Sequence, residues 1–185
     1  MTELVFEELH EKMNNTIAFF EKSLSRVRTG RASLSLLDGI RVDYYGTPTP
    51  LNQMATLSIP DSQSILISPW DKTALGAVEK AIQKSELGLV PSNDGKVIRI
   101  TIPPLTEERR KELVKVVKKM AEDCRIQIRN ARRDANTELK KMKNDGDISE
   151  DDSHAKQDEV QKITDEYIEK ADTILAAKES EIMEI

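Results

Sequence analysis

The feature that most constrains the fold is an unbroken apolar repeat across residues 107–143. Its apolar positions recur every three or four residues: Leu113, Val117, Met120, Cys124, Ile128, Ala131, Ala135, Leu139 and Met142. The 29 residues from the first to the last are covered in eight steps, close to the 3.6-residue period of a straight helix. At 1.5 Å per residue such a helix would be roughly 55 Å long. Its apolar face needs other long elements to cover it.

Two further segments carry a matching apolar face. In residues 3–28 it comprises Phe6, Leu9, Met13, Ile17, Phe20, Leu24 and Val27. In residues 150–183 it comprises Val160, Ile163, Tyr167, Ala171, Ile174 and Ile182. Between helices two and three, Asp145-Gly146 breaks the pattern and Ser149 is placed to cap the next helix. Three amphipathic helices, none able to stand alone, predict an elongated three-helix bundle.

The segment between the first two helices differs from them in composition and in predicted secondary structure. Residues 30–105 contain all seven prolines and six of the seven glycines. Runs typical of strands lie at residues 40–45, 55–59, 64–68 and 96–102, and a helix is predicted at residues 71–88. The fold class is therefore α+β, with a small β/α/β domain inserted between helices one and two. The predicted three-helix bundle comprises residues 1–29 and 106–185, and the predicted insert comprises residues 31–104.

An inserted domain requires two crossings, predicted at residues 28–33 and 103–106. Gly30 permits unusual backbone angles, and Pro103-Pro104 continues neither a strand nor a helix. Two short crossings predict a hinge that bends but resists twisting, although a tight, rigid interface would also satisfy the pattern.

The aromatic residues of the insert have structural explanations. Consecutive strand residues face opposite sides, so we expect at most one of Tyr44 and Tyr45 at the surface. Trp70 is expected to pack at the start of the short helix.

Charge is distributed unevenly along a chain whose net charge is −5. Residues 107–143 hold 13 basic and 7 acidic side chains, whereas residues 144–185 hold 4 basic and 14 acidic ones. A basic helix thus lies next in sequence to an acidic one. We expect part of this charge, chiefly that of the lysines, to pair internally.

The arginines of the basic helix follow a separate pattern. A single stripe beside the apolar face contains Lys118, Arg125, Arg129 and Arg132, with Arg133 adjoining it. Arginine's planar fork suits phosphate better than the point charge of lysine. Because aromatic residues for base stacking are missing from this face, the stripe predicts backbone and shape recognition of RNA or of another polyanion.

No pattern for catalysis, metal binding or membrane insertion occurs. His10 and His154 are isolated, and Cys124 lies on the apolar face, where a buried thiol is expected. There is no phosphate-binding or dinucleotide-binding glycine motif, and no run of about 18 apolar residues. We therefore expect neither enzyme activity nor a cofactor. A single cysteine and a charged start without a signal-peptide pattern favour an intracellular protein.

Several motifs resemble one family across the chain. They are RTGRAS (28–33), DYYGTPTPL (43–51), PPLTEERRKEL (103–113), RNARRDAN (129–136), ISEDD (148–152) and KESEIMEI (178–185). Their order and register are similar to those of the ribosome recycling factors of bacteria and organelles. One departure is Ala131, where a larger aliphatic residue is usual.

The resemblance implies an L-shaped, hinged protein. We expect a monomer, and the lack of a transit-like leader rich in Arg and Ser favours the bacterial cytoplasm. Family members bind the post-termination 70S-type ribosome, with the bundle against large-subunit rRNA. With elongation factor G and GTP they split the subunits, releasing mRNA and tRNA, and themselves hydrolyse nothing. The family's RNA-facing arginines correspond to Arg28, Arg31, Arg110, Arg129 and Arg132. Its flexible joint corresponds to Arg28, Thr29, Gly30, Arg31 and Ala32, together with Pro103, Pro104 and Leu105.

Two other functions remain open from the residues alone. The basic helix could bind an acidic protein partner, as in a helical adaptor or a chaperone-like protein. An enzyme with its site in the insert is the third reading, although no titratable cluster is found there.

Overall fold

The computed structural model describes residues 1–184, so only the last residue of the predicted 106–185 segment lies outside the described part. The α+β class is confirmed. The elements are α1 (Thr2–Ser25), β1 (Arg41–Tyr44), β2 (Thr47–Pro50), β3 (Ala55–Asp61), β4 (Ser64–Pro69), α2 (Leu75–Lys84), β5 (Pro91–Asn93), β6 (Ile98–Thr101), α3 (Glu107–Asn144) and α4 (Glu150–Met183). They divide into two compact units. Unit one contains residues 1–27 and those from 107 onward, and unit two contains residues 28–106.

Unit one is built from the three long helices. With 38 residues, α3 is about 57 Å long, and both α1 and α4 pack against it. The predicted apolar faces are largely correct. Some predicted positions lie at the margins of these faces, however, and are only half-buried: Phe6, Val27, Met120, Met142, Ile163 and Ile174. The core instead includes Val5, Ala121 and Thr164. The difference arises because each helix packs between two neighbours, which shifts the centre of its buried face.

The connection from α3 to α4 has the local structure that its sequence predicts. Gly146 has φ +81°, and its N–H donates to the carbonyl oxygen of Lys143 at 3.1 Å. The N–H of Asp147 donates to the carbonyl oxygen of Met142 at 2.9 Å, which completes a Schellman motif at the end of α3. The Ser149 hydroxyl oxygen then accepts the N–H of Asp152 at 3.0 Å, so the predicted cap is confirmed.

Unit two contains a four-stranded antiparallel sheet, a hairpin and α2. The sheet order is β3-β4-β6-β5, and β1 pairs with β2 separately. Its core consists mainly of aliphatic side chains, among them Val42, Ile65, Ile67, Val78, Ile82, Ile98 and Ile100. Two short strands, β2 and β5, were not predicted because their sequences, TPTP and PSN, contain proline. Each has only one neighbour, and proline is tolerated in such edge strands.

The aromatic residues of unit two agree with the sequence only in part. Tyr44 is half-buried and donates its hydroxyl to Asp71 Oδ2 at 2.8 Å, whereas Tyr45 is exposed, as expected of one member of the pair. The expectation for Trp70 is wrong, because its side chain is 67% exposed. Pro69 before it is buried, and alternation along the extended chain directs Trp70 outward. Its indole N–H donates to Thr56 Oγ1 at 2.9 Å.

Both crossings are attached to one turn of unit two, which joins β3 to β4. The N–H of Ala32 donates to the carbonyl oxygen of Ser62, and that of Ile102 donates to the carbonyl oxygen of Gln63, each at 2.7 Å. The crossings also touch each other, because a Cβ added to Gly30 would lie 2.9 Å from Leu105 Cγ. The two chain segments are therefore fixed side by side where they enter unit two.

Replacing Gly30 with alanine is expected to destabilise unit two. Gly30 has φ +75°, which costs an L-residue about 1–2 kcal/mol, and the new methyl group would press on Leu105. Urea denaturation should show this loss as a lower free energy of unfolding. Gly88→Ala is the matched control, since Gly88 has φ +65° but nothing within 4 Å of an added Cβ. If both variants lose the same stability, the contact with Leu105 contributes nothing.

Candidate nucleic-acid interface

Most of the candidate arginines share one helix. Arg110, Arg125, Arg129, Arg132 and Arg133 lie on α3. This helix has 13 basic and 7 acidic side chains, a net charge of +6, while α4 has 4 basic and 11 acidic ones, a net charge of −7. The two helices pack against each other, so a strong charge contrast exists within unit one. The candidate interface is therefore divided between arginines that face α4 and arginines that face away from it.

Three positions of the predicted stripe, each seven residues apart, face α4. Lys118 Nζ lies 3.9 Å from Glu179 Oε1. Arg125 Nη2 lies 2.6 Å from Asp172 Oδ1. Arg132 Nη1 donates to Gln161 Oε1 at 3.1 Å. The three contacts follow the antiparallel course of the two helices, so this edge of the stripe helps to align α3 with α4.

Arg125 is the most strongly held member of the stripe. Its Nε and Nη2 both donate to Asp172 Oδ1, at 3.0 and 2.6 Å, and its Nη1 donates to Glu122 Oε2 at 3.1 Å. The hydrogen bond to Asp172, with that to Glu122, raises the pKa of the Arg125 guanidinium. Only 22% of the side chain is exposed. The shortest ion pair between α3 and α4 thus involves an arginine and not a lysine, because the planar fork fits a carboxylate better.

Arg129 and Arg133 lie farther from α4. Arg129 is exposed, and its Nη1 donates to Glu122 Oε1 at 3.3 Å. Arg133 is exposed one helical turn further along. With the half-buried Arg132, these two residues form a continuous group, which we call the arginine face: Arg129, Arg132 and Arg133. Because Glu122 holds both Arg125 and Arg129, it links the buried edge of the stripe to this face.

Arg110 occupies the first turn of α3 and is half-buried. Its Nε–H is buried and has no hydrogen-bond acceptor within the described chain. Leaving a buried donor unpaired costs about 1–3 kcal/mol. An acceptor from outside the described chain would remove this cost, so the position of Arg110 is compatible with anion binding.

The remaining two candidates belong to unit two. Arg28 and Arg31 are exposed on the first crossing, on either side of Gly30. The structure therefore brings Arg129, Arg132 and Arg133 together on one helix. Arg28 and Arg31 form a separate pair.

The residues that position the arginines were not identified from the sequence alone. Glu122 and Asp172 hold Arg125, and Gln161 holds Arg132. The i, i+3 spacing of Glu122 and Arg125 could have indicated the first contact. The others depend on the register between two helices, which one helix's sequence does not contain.

No cluster of potential metal ligands occurs among the described residues. Nowhere in residues 1–184 do three or more His, Cys, Asp or Glu side chains come together as metal ligands would. His10 Nδ1 lies 3.2 Å from the Tyr167 hydroxyl, whereas His154 lies 3.9 Å from Glu150 on α4. Burial raises the pKa of the Cys124 thiol to about 11, which leaves it poorly nucleophilic.

The groove between α1 and α3 has a partly apolar lining. It has a volume of about 630 Å³ and is lined partly by Phe19, Met120 and Ile126, with Asp123 as its one ionisable carboxylate. None of the helices in the described part of the chain has the length and apolar character needed to span a bilayer.

Comparison with known proteins gives consistent results. A family model described as "Ribosome recycling factor" matches residues 20–183. The chain is 69% identical over 185 residues to a ribosome-recycling factor of Syntrophus aciditrophicus, with both chains covered completely. It is 53% identical over 185 residues to that of Bacillus subtilis, again with complete coverage of both.

Solved structures match the same fold. A solution structure of the ribosome recycling factor has a TM-score of 0.78 and 40% sequence identity, covering 100% of this chain and 98% of that chain. A second match is the T. thermophilus ribosome recycling factor, described with the E. coli elongation factor G bound to the E. coli post-termination complex. It has a TM-score of 0.66 and 46% identity, with 99% of each chain covered.

Proposed function

Because the chain belongs to the ribosome recycling factor family, we propose that it binds the ribosome after termination and helps to separate the subunits. In this role it acts with elongation factor G and GTP, and the splitting releases mRNA and tRNA for a new round. The observation that carries the proposal is 69% identity to a curated recycling factor over the full length of both chains.

Large-subunit rRNA is the proposed ligand of the arginine face. Three neighbouring guanidinium groups on a straight helix can contact successive phosphates of a folded RNA ridge or groove. Arg110, Arg28 and Arg31 are proposed as further phosphate contacts. Arg125 belongs to the proposed set too, and its bonds to Asp172 and Glu122 support a role in positioning its neighbours.

The two crossings are proposed as the joint of a hinged protein. Residues 28–32 and 103–105 would bend between a bundle of residues 1–29 and 106–185 and an insert of residues 31–104. The hydrogen bonds of Ala32 and Ile102 to the Ser62–Gln63 turn support a bending site on the bundle side of these bonds. A joint of this kind lets a force on the insert reach a bundle that is anchored on RNA.

We further propose that the chain is a monomeric, cytoplasmic factor without cofactor or catalytic activity of its own. On this account GTP is hydrolysed by elongation factor G.

Light scattering of purified post-termination ribosomes tests the proposal. Scattering should fall when the protein, elongation factor G and GTP are all present, with an initiation factor to keep the subunits apart. Omitting the protein or GTP should abolish the fall. If scattering is unchanged with every component present while the protein still binds an acidic protein partner, the adaptor reading replaces this one.

The acidic surface of α4 is expected to limit indiscriminate RNA binding. Glu166→Gln with Glu169→Gln removes two exposed negative charges, so affinity for an unrelated RNA should rise several-fold at low salt. Asp38→Asn with Glu86→Gln in unit two is the control with the same change in charge. Filter binding measures both, and equal affinities in the two variants would contradict a specific role for α4.

A further inference from the structure

The groove between α1 and α3 has a buried apolar floor and an exposed apolar rim. Phe20 and Cys124 line its floor and are 2% and 5% exposed. Its rim includes Phe19 on α1 and Ile126 on α3, which are 72% and 44% exposed. With a volume of about 630 Å³, the groove is as large as many sites for small organic groups. It is therefore an open cleft with room for one planar ring system.

Phe19 is the one exposed aromatic residue of unit one within residues 1–184. Successive residues of a helix point about 100° apart, so when Phe20 faces the core its neighbour lies outside the buried face of α1. The helix α3 contains no aromatic residue, and for this reason its arginine stripe predicted contacts with RNA backbone and shape alone. The structure shows that α1 supplies an exposed ring beside that helix.

Three polar side chains line the same groove and have no hydrogen-bond partner among the described residues: Asn15, Asp123 and Gln127. The carboxylate of Asp123 only accepts hydrogen bonds, and its two oxygens can accept from two parallel donors. Guanine presents such a pair, N1–H and N2–H, on its Watson–Crick edge. The amide groups of Asn15 and Gln127 can donate to the O6 atom of the same base.

The groove adjoins the arginine face through Ile126. This residue precedes Arg129 by three positions and Arg133 by seven, spacings that place side chains on one side of a helix. An RNA backbone bound to Arg129 and Arg133 would therefore pass the open side of the groove. A base of that RNA needs only to leave its stack to enter.

The combination of side chains favours a nucleobase over an apolar helix of a protein. A base offers an aromatic face for stacking and hydrogen-bonding groups along its edge, so it matches both Phe19 and Asp123. An apolar helix would cover Phe19 and Ile126, but it would also cover the Asp123 carboxylate without pairing it, which is unfavourable.

We propose that this groove is a nucleobase site, in which an unpaired guanine of the ribosomal RNA stacks on Phe19 and donates N1–H and N2–H to the Asp123 carboxylate. The inference rests on the proposed function. It adds a contact with a base to the backbone contacts of the arginine face, so recognition would depend on a particular unpaired nucleotide as well as on RNA shape.

The first test compares full-length variants in ribosome pelleting over a salt series. Phe19→Ala removes the ring and Phe19→Tyr keeps it. Leu4→Ala is the control, because Leu4 is 59% exposed on the same helix and does not line this groove. Phe19→Ala should bind about tenfold more weakly, as expected for loss of one stacked base. Its slope of log affinity against log salt should equal that of wild type, since no phosphate contact is lost.

Phe19→Tyr and Leu4→Ala should bind as wild type. All three variants should keep the wild-type melting temperature, because the replaced side chains are exposed. Unchanged affinity of Phe19→Ala, or an equal loss in Leu4→Ala, would overturn the proposal.

Asp123→Asn gives a test whose sign is informative. Removing a negative charge beside the arginine face would by itself strengthen RNA binding. Losing an acceptor for two guanine donors weakens it. We expect several-fold weaker pelleting, and equal or stronger pelleting would overturn the proposal.

Kethoxal, which reacts with N1 and N2 of unpaired guanines, detects the base itself. At saturating protein, wild type should protect at least one ribosomal guanine that Phe19→Ala leaves reactive. Identical protection by the two proteins would overturn the proposal, and together with weaker binding of Phe19→Ala it would assign the groove to a ribosomal protein. Failure of wild type to bind ribosomes at all would instead contradict the proposed function.

Discussion

Replacing Arg129, Arg132 and Arg133 together with glutamine is expected to weaken ribosome binding about 1000-fold or more. Each charge-assisted hydrogen bond to a phosphate contributes about 1.5–3 kcal/mol, and three are lost. Folding should change little, because the hydrogen bonds that Arg129 and Arg132 donate to Glu122 and Gln161 lie at the surface of the protein. Such surface contacts contribute about 0–1 kcal/mol each. Pelleting with vacant bacterial ribosomes measures the affinity, and thermal unfolding measures the stability.

A variant with the same charge change separates the arginine face from net charge. Lys140, Lys141 and Lys143 lie in the last two turns of α3, beyond the arginine face. Their replacement with glutamine removes the same three charges. We expect a loss several-fold smaller than that of the arginine variant. Equal losses would mean that α3 is attracted to RNA only by its overall charge.

The second large effect is expected in the core of unit one. Ile128 is 0% exposed, so Ile128→Ala should destabilise by about 2–5 kcal/mol, as buried large-to-small changes do. Ile126 lies two residues earlier on the same helix and is 44% exposed. Ile126→Ala should cost less than about 1 kcal/mol, because exposed substitutions remove little buried area.

Urea denaturation followed by helical circular dichroism measures this difference. The two variants remove the same atoms from the same helix, so they differ only in burial. If Ile126→Ala proves as costly as Ile128→Ala, the groove between α1 and α3 is more closed than its half-exposed lining indicates.

The long helices could be predicted because their apolar residues recur with the period of a helix and not with that of a strand. For α4 the predicted range of residues 150–183 is that of the structure, since a break at Gly146 and a cap at Ser149 define its start. Proline in β2 and β5 concealed two strands, because edge position, which makes proline tolerable, is a property of the whole sheet. Thr164 is buried on α4 through a hydrogen bond to the Val160 carbonyl oxygen at 2.7 Å, which a pattern of apolar residues does not reveal.

The candidate interface was predictable in residue type but not in detail. The spacing of the arginines on α3 indicated a stripe, and the structure places Arg129, Arg132 and Arg133 in one group. The spacing could not show that Arg125 is bound to Asp172, since that contact depends on how α3 and α4 are aligned. Likewise, the exposure of Trp70 follows from the direction of the chain after Pro69, whose burial is set by the fold.

The most direct test of RNA anchoring is the salt dependence of ribosome binding, measured for wild type and for the variant with glutamine at 129, 132 and 133. Each phosphate contact adds about 0.7–0.9 to the slope of log affinity against log salt concentration. We expect saturable wild-type binding that weakens with salt, and a slope about two to three units shallower in the variant. Equal slopes, or no wild-type binding at low salt, would contradict the claim that the arginine face binds rRNA phosphates.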